Sequence, residues 1–134
     1  MILKKANSKA ISFACRNFHY AKSVPCVQYG YNVYNSEKEW CGVIVFGGGA
    51  NNNLAKSFGY VPGEVLELER VALNGKQEYT SQAVAMALKM LHAENPIVKI
   101  ISTTKSIIML ILIILHIIIH SHHLIPFLYL IHIS

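Results

Sequence analysis

Along this chain the spacing of apolar residues switches between a period of two and a period near 3.6, most clearly between Val65 and Ser102. Val65–Leu73 is short and rich in branched apolar residues, the composition of a buried strand. Asn74-Gly75 supplies turn chemistry. Beyond it Val84, Leu88 and Leu91 fall at i, i+4 and i+7, with Ala83, Ala87 and Met90 beside them. This spacing predicts a helix apolar around much of its girth, which belongs under or between other layers. Thr80 or Ser81 is its expected cap, because either hydroxyl can accept a bond from a free N–H of the first turn. Asn95-Pro96 stops it, since proline cannot donate to the helix and pushes its predecessor out of the α region. Ile97–Ile101 then reads as a second strand. A strand–helix–strand unit of this length is a βαβ crossover, expected to be right-handed with parallel strands. The helix start then opens beside the end of the first strand, where free N–H groups and the macrodipole favour an anion.

Upstream, Met1–Leu3 reads as a short strand, and Ser8 as the cap of a helix with Ile11, Cys15 and Phe18 on one face and Ala14 beside them. That helix ends near His19-Tyr20, and Pro25 forces the loop Ala21–Pro25 to be extended. Val27–Tyr34 alternates Val27, Tyr29, Tyr31 and Val33 against Gln28, Gly30, Asn32 and Tyr34, which is strand period. Asn35–Glu39 makes a turn and Trp40–Phe46 returns as a more continuously apolar strand, so the two form an antiparallel hairpin. Gly47–Gly63 is a long loop containing Asn51-Asn52-Asn53, and loops of that length in small domains are usually functional. The order helix, hairpin, loop, βαβ predicts an α/β fold with a mixed sheet.

Composition divides the chain in two. The hydrophobic content of 53% is an average over unlike parts. Every Lys, Arg and Glu lies at or before Lys105, there is no Asp, and five of the seven histidines fall beyond it. The formal charge of +5 and the pI near 9.2 therefore belong to residues 1–105. That excess permits salt-sensitive attraction to nucleic acid or an anionic cofactor without requiring either. Cys15, Cys26 and Cys41 are odd in number and lack CxxC spacing, so they read as reduced thiols of a cytoplasmic protein rather than a disulfide or zinc framework. Met1–Leu3 runs directly into lysines and polar residues with no apolar core behind it, so no signal peptide is expected.

Several residues have both a chemical and a plain structural reading. His19-Tyr20 at a helix end could face a substrate as a base or hydrogen-bonding pair; the plain alternative is a helix cap and a packing ring, which the residues alone favour. Gly47–Gly49 could let backbone approach a phosphate, but no GxGxxG or Walker pattern is present, and a glycine-rich turn accounts for it. Glu67 and Arg70 are charges in an apolar strand, so they form an ion pair, an edge face or a site. Strict alternation puts them on opposite faces; a bulge between them would bring both to one side. Ser81 is a cap or a phosphate contact. Lys22 and Lys56 are solvated or touch DNA phosphates. Tyr29 and Tyr31 share a strand face and are core residues or base-stacking platforms.

The run Phe18-His-Tyr-Ala-Lys-Ser-Val-Pro25, then Gly42-Val-Ile-Val-Phe-Gly47 with Ala50-Asn51, then Phe58-Gly59, then Val65-Leu-Glu-Leu-Glu-Arg70-Val-Ala-Leu73 resembles the Mom family of phage DNA-modification proteins. The likeness covers about residues 12–102 in order and with similar gaps. It implies a GNAT-like acyltransferase fold and conversion of the exocyclic amine of adenine in DNA to a carbamoylmethyl derivative, which protects phage DNA from restriction. It implies that His19 and Tyr20 line the active site, that Glu67 and Arg70 belong to the central strand's functional face and that Ser81 starts the helix beside the cofactor or donor. On this reading His19, Tyr20 and Glu67 are catalytic, Arg70 and Ser81 are cofactor contacts, Lys22, Ser23, Tyr31 and Asn51 are substrate contacts, and no residue is assigned to a metal. The donor, acyl-CoA-like or glycine-derived, is left open, because the usual GNAT pyrophosphate loop is absent and Asn74–Thr80 stands in its place. Reaction at adenine N6 would also require base flipping or an open strand.

Residues 103–134 depart from that family, which continues with an Asp-containing loop, a His-Gly and aromatic residues. Here the chain reads KSIIMLILIILHIIIHSHHLIPFLYLIHIS from Lys105. A frameshifted or degenerate end is the expectation, as translation of AT-rich DNA out of frame would give; if another reading frame restores the family's ending, the chain is a damaged family member and the activity belongs to the repaired gene. Ile107–Leu115 is shorter than a membrane span, which needs about 20 apolar residues. A metal site from His116, His120, His122 and His123 lacks a carboxylate, and a genuine core segment is the remaining alternative. The domain reading is thus 1–102 as the folded unit and 103–134 as a tail. DNA and a small-molecule donor are the expected partners, with a membrane possible only through the tail. The competing functions are another small-molecule N-acyltransferase on the same fold and a non-enzymatic membrane-associated protein.

Overall fold

The computed structural model describes residues 1–48, 56, 59–98, 100–103 and 128–131, the last two segments as backbone. Its strands are β1 (Ile2–Lys5), β2 (Tyr29–Tyr34), β3 (Trp40–Gly47), β4 (Val65–Leu73), β5 (Ile100–Thr103) and β6 (Leu128–Ile131). Its helices are α1 (Ser8–Phe18) and α2 (Thr80–Glu94). The strands form one sheet in the order β1-β2-β3-β4-β5-β6. The first four pair antiparallel, and β5 and β6 extend the sheet in parallel. The expected α/β architecture with a mixed sheet and a βαβ unit is therefore present, Val65 pairing with Ile100 across it.

Alternation along β3 assigns the two helices to opposite faces. Ile44 and Phe46 join Tyr31, Val33, Leu66 and Leu68 in a core against Ala83, Val84, Ala87, Leu88 and Leu91 of α2. Val43 and Val45 join Ala72 in a smaller core against Ile11, Ala14 and Cys15 of α1. The broad apolar girth of α2 is explained by the larger of these cores.

Both helix starts differ from expectation. Asn7, not Ser8, caps α1, its side-chain oxygen accepting from Ala10 N at 2.8 Å. The carboxamide one position earlier reaches the free N–H, and Ser8 becomes the first helical residue. Neither Thr80 nor Ser81 caps α2: Tyr79 holds the cap position without a side-chain bond, and the Thr80 hydroxyl accepts from Gln77 Nε2 at 2.9 Å. Strand ends also shift. The first strand runs to Lys5, the second begins at Tyr29, and β5 begins at Ile100 because Asn95–Val98 forms a turn, Val98 N bonding Asn95 O at 3.1 Å. The tail falls outside the described residues except for Thr103, which ends β5, and Leu128–Ile131, which pairs with β5. Among the described residues no helix is long and apolar enough to cross a membrane, and no group of His, Cys, Asp or Glu could hold a metal ion.

Candidate functional site

The pairing of β3 with β4 slips once. Val45 faces Arg70, but Phe46 faces Leu68, which leaves Glu69 as an extra residue in β4. Such a bulge reverses the alternation on its strand. Before it Leu66 and Leu68 point toward α2; after it Val71 and Leu73 do. Arg70, opposite Val45, and Glu67, opposite Gly47, consequently share the α1 face. Of the two arrangements open to strict alternation and a bulge, the bulge is the one adopted.

Three charged side chains thus gather where β4 meets the loop after α1. Arg70 Nη2 donates to Ser23 Oγ at 3.3 Å and Nη1 donates to the Glu69 carbonyl at 2.9 Å. Its Nε is buried and has no hydrogen-bond partner among the described residues. The Glu69 carboxylate lies over the Cα of Gly47, in the space where a Cβ would meet Glu69 Oε1 and the carbonyl of Cys26. Gly47 is therefore required for space. Cys15 backs the cluster from α1. Burial pushes its thiol pKa up, the Arg70 charge opposes this, and the Glu69 charge adds to it. A buried thiol held protonated is a poor nucleophile, and Cys15 belongs to the core.

His19 and Tyr20 stand at the C-terminal end of α1. His19 is buried, and its Nδ1 accepts from Ala21 N at 3.1 Å. A neutral ring held this way carries its proton on Nε2 and presents a donor there. Tyr20 is 90% exposed and stacks on the His19 ring with centroids 4.4 Å apart. Lys22 follows with φ 51° in a turn closed by its N–H on the His19 carbonyl at 3.1 Å. The left-handed residue turns the chain back toward Ser23 and so toward Arg70.

The sequence model of the Mom protein family matches residues 1–104. The chain belongs to the Mom protein family. Membership is consistent with phage DNA modification in general and makes DNA a plausible partner. No curated protein matches the chain.

The remaining candidates of this Mom-family chain lie apart from that cluster. Tyr31 is in the α2-side core, 1% exposed, its hydroxyl donating to Glu94 Oε2 at 3.3 Å. Burial, then the Glu94 charge, drives its phenol pKa well above the ordinary range. It reaches a cavity of about 300 Å³ lined also by Lys5, Gln28, Tyr29 and Glu94, with Lys5 Nζ 3.8 Å from the Glu94 carboxylate. Ser81 is in the first turn of α2, packed on the opposite side of the sheet from Arg70. Close to that helix start the Glu78 carboxylate accepts from Ser36 N at 2.7 Å, already supplying negative charge where an anion was expected. Lys56 is exposed, and Asn51 and Gly49 lie outside the described residues. Glu69 is the one residue of the cluster that pattern reading passed over.

Proposed function

We propose that this Mom-family chain transfers a carbamoylmethyl group to N6 of adenine in DNA, on a GNAT-like fold, in the cytoplasm of the host. The observation that supports this most is the bulge at Glu69, which turns Glu67 and Arg70 to one face beside Ser23. The adenine amine is a weak nucleophile because its lone pair is delocalised into the ring. As the bond from N6 to the methylene carbon forms and that carbon's bond to its leaving group breaks, one N6 proton must go to a base. Glu67 takes that proton. A positioned carboxylate at this step contributes roughly 10²- to 10⁴-fold to the rate. Arg70 orients the donor or its leaving group through its remaining guanidinium donor capacity, with Ser23 fixing its rotamer. His19 contributes Nε2–H as a hydrogen-bond donor and Tyr20 an exposed ring at the edge of the flipped base. Lys22 and Asn51 contact the strand, Tyr31 a substrate group in the cavity beside Glu94, and Ser81 the donor. The donor itself is a small molecule, acyl-CoA-like or glycine-derived.

The test is mass spectrometry of nucleosides from DNA of cells making the chain. Carbamoylmethyl-adenine is expected, and Glu67→Gln is expected to lower it at least about a hundredfold. Undiminished modification in Glu67→Gln would remove the base role. Reading the encoding DNA in three frames across residues 100–106 should come first. A frame restoring an Asp, a His-Gly and aromatic residues would move the assay to the repaired gene.

A further inference from the structure

The α1 face carries a second feature, on the side of the helix away from Arg70. Phe13, Phe18 and Trp40 form a mutual aromatic cluster with centroid separations of 5.8, 5.9 and 5.7 Å. Its outermost ring, Phe13, is 52% exposed. An exposed phenylalanine costs favourable burial, and one packed edge to face against a second ring is held rigid rather than left free to fold away. The indole N–H of Trp40 is satisfied by Asn32 Oδ1 at 3.0 Å, which fixes the plane of that ring as well. Phe13 and Trp40 border an open groove of about 500 Å³ between α1 and the outer strands, whose wall also includes Lys9, Asn32 and Tyr34.

The charge around the groove has one sign. Lys9 lines it, and Lys4 Nζ sits 5.9 Å from the centroid of the Tyr34 ring. No carboxylate is among its described lining residues. Glu39, next in sequence to Trp40, is drawn to Asn35 and to Lys76 Nζ at 3.6 Å. Rigid, exposed rings flanked by lysines are what a single strand of nucleic acid uses: base faces stack on the rings and phosphates meet the cations. We infer that this groove holds an unpaired stretch of DNA, with a base on Phe13 and its phosphates near Lys9 and Lys4. The inference rests on DNA being the partner, and adds where the strand lies.

Trp40 is the only tryptophan, so its fluorescence reports on this groove alone. The full chain is titrated with a short single-stranded oligonucleotide of mixed sequence. Trp40 quenching and the anisotropy of the labelled oligonucleotide are followed in parallel. Both signals are expected to give one Kd. Phe13→Ala should raise it roughly tenfold. Lys9→Gln should reduce the slope of log Kd against log salt by about one. Because both side chains are exposed, an unchanged circular dichroism spectrum is expected for each variant. Binding by anisotropy without Trp40 quenching, and with Phe13→Ala equal to wild type, would overturn the groove while leaving DNA as partner. Absence of binding by anisotropy would overturn the groove and the DNA reading together. A wild-type dimer that Phe13→Ala dissociates, with oligonucleotide affinity unchanged, would assign the groove to a second copy and overturn the inference.

Discussion

The two faces of the sheet are made by the same strands and do opposite work. On the α2 face the pleat meets a helix apolar around most of its girth, and Tyr31, Ile44, Phe46, Leu66 and Leu91 fill the contact. The Tyr31 hydroxyl, a polar group at the edge of that core, is bonded to Glu94. On the α1 face the apolar contact is confined to a small middle patch around Cys15, Val43, Val45 and Ala72. To one side of that patch lie Glu67, Glu69 and Arg70, to the other the Phe13–Trp40 groove. A helix that covers only part of its face leaves the uncovered part free to carry chemistry, while stability is delegated to the other side.

One extra residue in β4 separates these roles, and adding a second beside it should have the largest effect. With one alanine inserted between Glu69 and Arg70 and the bulge still absorbing a single residue, Ala72 held in place would turn Leu66 and Leu68 toward α1 and Glu67 into the α2 core. Two large apolar side chains would leave a packed core and an unpaired carboxylate would enter it. That insertion is expected to abolish cooperative folding, read as loss of a thermal transition by circular dichroism. A cooperative melt near the wild-type midpoint would show that the bulge absorbs the second residue as well and does not set the faces.

Gly47 and Gly48 offer a milder version of the same comparison. A Cβ on Gly47 would strike the Glu69 carboxylate, which can swing away, and the Cys26 carbonyl, which cannot move without its backbone. Gly47→Ala should therefore destabilise by about 1–3 kcal/mol in urea unfolding. Gly48→Ala meets only Gln28 Nε2 at 3.8 Å and should change stability by no more than about 0.5 kcal/mol. Equal effects would mean that the carboxylate does not rest on Gly47.

What was legible in the residues follows from range. The α2 face was readable because Val84, Leu88 and Leu91 declare a helix locally and Ile44 to Phe46 declare a buried strand. The bulge was readable only as one of two alternatives, since Glu67 and Arg70 at that spacing require either two faces or an extra residue. Glu69 was passed over because unbroken alternation merely places it beside Glu67. The sign that could have found it is a third charge within four residues of an apolar strand, all of which need partners. Ser23 and Arg70 meet across 47 positions, and nothing local announces that bond. The caps failed for a different reason: Asn7 and Ser8 are both good caps one residue apart, and sequence preference does not choose between neighbours.

The smallest expected effect lies at the rim of the α2 face. Glu78 is exposed, yet its pKa is drawn down from 4.5 to about 2, by the Ser36 hydroxyl and then its backbone N–H. A carboxylate with a depressed folded-state pKa holds fewer protons when folded than when unfolded. Its contribution is therefore present above the unfolded pKa, near 4.5, and is lost as pH falls toward about 2. The Glu39 carboxyl is lowered too, by Asn35 first and with Lys76 contributing, so the wild type carries two such groups where α2 meets the hairpin turn. Urea midpoints measured from pH 5 down to about 2 should fall in the wild type and fall less steeply in Glu78→Gln. Above about pH 5 the wild type should be the more stable of the two, and toward about pH 2, as Glu78 becomes protonated, the two should converge. A steeper acid loss in the variant would reverse the sign and remove Glu78 as the tie between α2 and the turn. Because that tie is at an exposed rim, added salt should shrink the difference, whereas the effects of the β4 insertion and of Gly47→Ala, which are steric, should persist.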